Sequence, residues 1–158
     1  MKKVFLAVFF MASVTAWSQN LVPNGGFETY SNCPDNLNQV SNASPWINPT
    51  LTSPDYFNLC AGNSTCGAPV NVTGYQYPRS GNAYTGIVTK YAGNYREYIE
   101  VPLTTTLTAG ATYSFHMYIV SSNTYKNWSG DIGVYFSPTE VQVATGSPLP
   151  YTPQIRNS

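Results

Sequence analysis

The sequence predicts an all-β domain, an antiparallel sandwich of jelly-roll type, and three observations lead there. Segments after Gly81 alternate apolar and polar residues with the two-residue period of a strand. No window of the chain sustains the helical period, because Pro, Gly, Asn and Asp interrupt every run. The composition is rich in Tyr, Thr, Asn and Ser and only 9% charged, a mixture that suits strands with one wet face.

Taken in order, the chain opens with export grammar. Lys2 and Lys3 precede an apolar run over residues 4–11, and small Ala16 and Ser18 sit three and one positions before a predicted cut ahead of Gln19. The run is too short to span a bilayer as a mature helix. Residues 1–18 are therefore expected to be a signal peptide and residues 19–158 one exported domain. No Cys follows the cut, so a lipid-anchored N-terminus is not expected.

The mature part holds five Lys and Arg against seven Asp and Glu, with no basic patch or charge run, which disfavours nucleic acid and anionic membrane as partners. Cys33, Cys60 and Cys66 are odd in number, so at most one internal bridge forms. Cys33–Cys60 closes the longer loop and is favoured on chain entropy at about 3 kcal/mol, with Cys60–Cys66 as the alternative. A zinc site lacks a paired CxxC or a nearby His.

Residues 31–74 read as loops, with Trp46 and the Tyr56–Phe57 pair as aromatic anchors. Residues 83–89 are a short strand candidate. Residues 95–101 alternate Tyr95, Ile99 and Val101 against Arg96, Tyr98 and Glu100. Residues 112–121 carry the clearest strand pattern, Tyr113, Phe115, Met117 and Ile119 inward and Ser114, His116 and Tyr118 outward. Residues 131–137 repeat it with Ile132, Val134 and Phe136. The Pro- and Gly-broken remainder offers no final strand. A sandwich ending there would leave an open edge, so closing strands, alone or with a further domain, are expected beyond Ser158.

Several pieces in order carry a family resemblance. They are NLVPNGGFE at 20–28, Cys33-Pro34, Trp46, PDYFNLC at 54–60 and GYQYPRSGNAYTGI at 74–87. YREYIEVPL at 95–103, LTAGATYSFHMYI at 107–119 and DIGVYFS at 131–137 complete the series. The chain resembles an exported β-sandwich module of Bacteroidetes surface proteins, placed ahead of OmpA-like or gliding-associated C-terminal parts. More distantly it is similar to carbohydrate-binding modules of the galactose-binding-like jelly roll. The resemblance implies a non-catalytic module at the cell surface, outer membrane or beyond, that binds or adheres, with polysaccharide or an envelope component as partner. The alternative it leaves is a spacer in an envelope protein whose working part lies elsewhere. In similar jelly rolls the Glu of the opening segment helps hold a structural calcium, which assigns Glu28 that role. Calcium wants six to eight oxygens, and the plainer reading of Glu28 is a carboxylate satisfied by backbone amides, Arg79 or Arg96.

Sugar binding uses flat rings that stack on pyranose faces, with polar neighbours for hydroxyls. Tyr75, Tyr77, Tyr91, Tyr125 and Trp128, with Gln76 and Arg79, are the candidates, against the plainer reading that Tyr suits half-buried strand and loop positions. No catalytic site is expected. Glu97 and Glu100 point to opposite faces of an extended segment, and His116 stands without a nucleophile motif. The four Asn-x-Ser/Thr triplets, at Asn42, Asn63, Asn71 and Asn127, fit chance in an Asn-rich chain.

Overall fold

A computed structural model of the chain describes residues 19–125 and 132–157. The predicted signal peptide, Trp128 and Asp131 lie outside the described residues. Within them the chain is all-β, with small antiparallel sheets, and its two helices are single 3-10 turns at Val40–Asn42 and Ala92–Asn94. No helix among the described residues is long and apolar enough to cross a membrane.

Strand β1 (Asp55–Asn58) pairs antiparallel with β4 (Ala83–Gly86), Tyr56 opposite Thr85 and Phe57 opposite Tyr84. Strands β2 (Val70–Asn71) and β3 (Gly74–Tyr75) form a tight hairpin, and β5 (Gly133–Val134) pairs with β6 (Ile155–Arg156). The β1–β4 pair carries the core, where Ala43, Tyr56 and Ala83 are buried and Phe27 and Trp46 pack against them. Trp46 thus belongs to the core, as its sequence setting predicts.

The loop expectation for residues 31–74 misses β1. The apolar pair Tyr56–Phe57 is too short to show a period, yet both rings are buried and Asn58 beside them is bonded through its amide to the Tyr56 hydroxyl at 2.7 Å. Phe57 also sets its ring 5.1 Å from that of Tyr84, the cross-strand contact that stabilises such a pair. The disulfide is Cys33–Cys60, the favoured pairing, with Cα atoms 5.8 Å apart, and Cys66 is a buried free thiol.

The opening segment forms a turn. Asn24 adopts φ 48°, and its side-chain amide donates to the Thr29 and Ser44 carbonyls while accepting from the Thr29 N–H. Its own carbonyl accepts from the Trp46 indole at 2.9 Å. Asn tolerates the left-handed region, and here its side chain replaces the backbone pairing a strand would have made.

Three further strand expectations are corrected. Residues 95–101 make only an isolated bridge, Ile47 with Glu100, besides the Tyr91–Tyr95 turn, and the residue buried there is Glu97 rather than Ile99. Residues 112–121 form no strand, and Tyr113, Met117 and Ile119, expected inward, are exposed. Alternation marks a segment fit to cover an apolar face, but it supplies no partner strand, and none pairs with this segment among the described residues. Residues 131–137 shrink to β5, whose partner β6 lies in the tail read as strandless. There the Gln154 amide brackets Phe136, accepting from its N–H at 2.8 Å and donating to its carbonyl at 3.1 Å, a side-chain substitute for ladder bonds.

Candidate functional site

The β2–β3 hairpin presents the candidate site. Asn71 closes its turn, accepting from the Thr73 N–H at 3.0 Å and the Thr73 hydroxyl at 2.6 Å. The same amide donates to Tyr84 on β4 at 2.6 Å, which fastens the hairpin to the core sheet. Asn123 then clamps β3 from the open side. Its side chain accepts from the Tyr75 N–H at 2.9 Å and donates to the Tyr75 carbonyl at 3.1 Å. Gly74 at φ 127° makes room for this clamp, since a Cβ there would fall inside Asn123 Oδ1. The Ser122 hydroxyl donates to the Thr73 carbonyl and accepts from the Thr124 and Tyr125 N–H groups, so residues 122–125 lie along the hairpin.

On this braced backbone Tyr75 and Tyr77 stand 52% and 58% exposed, their rings edge to face with centroids 5.5 Å apart. The Tyr77 hydroxyl, hydrogen-bonded to that of Tyr75, raises the Tyr75 phenol above its ordinary pKa. Gln76 spends its amide on the Tyr77 carbonyl at 2.6 Å, and its N–H donates to the Pro69 carbonyl at 2.7 Å. It braces the loop instead of reaching outward. Arg79 lays its guanidinium over the ring of Tyr118, 4.3 Å from the centroid. Tyr118 is itself 75% exposed. An open cleft of about 360 Å³, walled by Asn63, Ser64, Gly67, Pro69 and Val70, lies on the β2 side, with Val70 the register partner of Tyr75.

Of the residues expected to bind sugar, Tyr75 and Tyr77 stand ring to ring on a ledge braced by Gln76, and Arg79, two residues beyond Tyr77, lies over Tyr118. Tyr125, 63% exposed, lies in the segment docked along the hairpin. Trp128 lies outside the described residues. Tyr91 stands elsewhere, on the turn that bridges to Tyr95. Tyr118 was missed, since alternation placed it as an ordinary outward residue and nothing local links it to Arg79.

Glu28 keeps to the plainer reading. Its carboxylate accepts from the Asn82 N–H at 2.9 and 3.1 Å and from the Ala83 N–H at 3.1 Å. Gly81, at φ 67°, leaves the space it occupies. No group of three or more His, Cys, Asp or Glu fit for a metal occurs among the described residues. Arg96, the other cation considered for Glu28, donates to the Thr89 carbonyl at 3.0 Å.

A second polar cluster escaped sequence reading. Glu97, 5% exposed, accepts from the Ser53 N–H at 3.2 Å, the Ser53 hydroxyl at 2.9 Å, the Tyr95 hydroxyl at 2.9 Å and the Val88 N–H at 2.8 Å. Asp55 lies close enough to feel its charge. Burial, opposed by the Asn38 N–H and aided by Glu97, raises the Asp55 carboxyl to about 6. Glu100, on a different side, accepts from the Val141 N–H at 3.0 Å, and burial raises its pKa. Every oxygen of Glu97 is committed to donors from three segments, an arrangement that joins loops.

Comparison with family models, with curated proteins and with solved structures finds no match to this chain.

Proposed function

We propose that this chain is a non-catalytic, exported binding module of the cell surface, built on a β-sandwich of jelly-roll type, whose ligand is a polysaccharide. The observation that carries the reading is the braced ledge of Tyr75 and Tyr77. Exposed aromatic rings held by a clamped backbone lose little freedom on binding, and preorganisation of this kind favours affinity. A ring face carries negative charge density that attracts the C–H groups of a pyranose, and its edge phenols offer hydroxyls for hydrogen bonds. The ledge is open, as a long chain ligand requires. Export is supported by the leader grammar and by the Cys33–Cys60 bridge, since disulfides persist in oxidising compartments.

Affinity electrophoresis of residues 19–158 through gels holding a panel of soluble polysaccharides tests this. Retardation on at least one, lost in Tyr75→Ala/Tyr77→Ala, is the expected result. Migration unchanged across the whole panel overturns glycan binding and leaves the spacer reading, in which the module holds its neighbours apart in the envelope.

A further inference from the structure

The geometry points to a pyranose bearing an oxyanion, a carboxylate or a sulfate ester, as the unit recognised at the ledge, with Arg79 as its specificity-determining residue. The inference rests on the glycan reading above and names the ligand class for that same site.

Arg79 is exposed and lies two residues beyond Tyr77. Its guanidinium is fixed by the face of Tyr118 at 4.3 Å and has no carboxylate partner among the described residues. A guanidinium stacked on a ring leaves its N–H donors radiating in the plane, away from the ring, where a two-oxygen acceptor meets two of them at once. A neutral sugar hydroxyl uses one donor and gains less, since it offers neither a second oxygen nor an opposite charge. The Glu28 carboxylate, bonded to the Asn82 and Ala83 amides three and four residues beyond Arg79, is committed there. The mature part is slightly acidic overall, but at physiological ionic strength exposed charges beyond about 8 Å are screened, so the local guanidinium decides. Tyr75 and Tyr77, four and two residues before Arg79, supply the rings for the sugar, and Tyr118 holds the cation.

Three gel matrices separate the contributions: polygalacturonate, its fully methyl-esterified form with the same ring and no charge, and dextran sulfate. The expected result is retardation at least fivefold stronger on a charged matrix than on the ester, falling with added salt and collapsing to the ester level in Arg79→Gln. Preference for polygalacturonate identifies the carboxylate, and preference for dextran sulfate the sulfate ester. Tyr118→Leu should lose a large part of the charged preference, and Tyr75→Ala should weaken all retention. Arg79 is exposed, so Arg79→Gln should melt with the parent, which keeps the result readable. Equal retardation on all three, indifferent to Arg79→Gln, overturns the oxyanion inference and leaves glycan binding standing. Retardation on none of the three, with a neutral glycan retained elsewhere in the panel, overturns it equally. Retention nowhere overturns both.

Discussion

Glu28 illustrates how one side chain does the work of a strand edge. Its two oxygens receive the Asn82 and Ala83 amides where β4 begins, a charged acceptor for donors that would otherwise face open space. Glu28→Gln keeps the shape and removes the charge, and is expected to cost about 1 kcal/mol in urea unfolding at this exposed site. The loss should be the same with calcium and with chelator. A calcium-dependent rise in melting temperature that the variant lacks would instead establish a metal at Glu28. Asp55 behaves in the opposite sense. Its folded pKa of about 6 lies above the ordinary carboxyl value of 3.8, so the folded state binds the extra proton in between. Stability should be fullest below pH 4 on this account and fall as pH rises toward 6, by about 1–2 kcal/mol after allowance for solvent screening. Unfolding curves from pH 4 to 7 should show the decline, and Asp55→Asn should flatten it. An unchanged slope in the variant would assign the decline to other carboxyls, Glu100 foremost, since its pKa is raised as well.

At the scale of elements, short strands are completed by side-chain amides. Asn123 on Tyr75, Gln154 on Phe136 and Asn24 on Thr29 each stand in for a backbone partner. Asn123→Ala is therefore expected to release the ledge, weakening polysaccharide retention severalfold while the β1–β4 core and its melting temperature change little. A large loss of stability with retention intact would show the clamp to be structural only. The Cys33–Cys60 bridge closes a separation of 27 residues and ties the loop before Val40–Asn42 to the end of β1. Chain entropy puts its contribution at about 3–4 kcal/mol. Reduction, or Cys33→Ser with Cys60→Ser, should lower the melting temperature by several degrees and remove no ligand contact. Composition foretold many amides, but which amide brackets which peptide is a matter of segments meeting across 5 to 48 residues, and no local period records it.

For the whole molecule, the described residues are joined more by loop contacts than by sheets. Residues 49–51 bond to 143–145, Glu100 receives the Val141 N–H, and Tyr98 receives the Leu149 N–H at 3.1 Å. Buried Cys66, its thiol donating to Asn63 Oδ1 at 3.3 Å, reports on this assembly. One thiol per chain should react with a disulfide reagent in denaturant and almost none in native buffer. Ready native reaction would mean that the loop around it opens easily. Residues 112–121 are the plainest departure, for Tyr113, Met117 and Ile119 stand exposed where alternation had placed them inward.

By itself, the sequence determined the all-β class and the nearness of Tyr75, Gln76, Tyr77 and Arg79, and it favoured the Cys33–Cys60 disulfide and the core place of Trp46. Each of these follows from residue type or from short spacing along the chain. Only the tertiary structure decided that Asp55–Asn58 is a strand, that Glu97 is buried and that Tyr118 carries Arg79. Those facts depend on contacts between distant segments, whose partners are chosen by burial and hydrogen bonding across the fold.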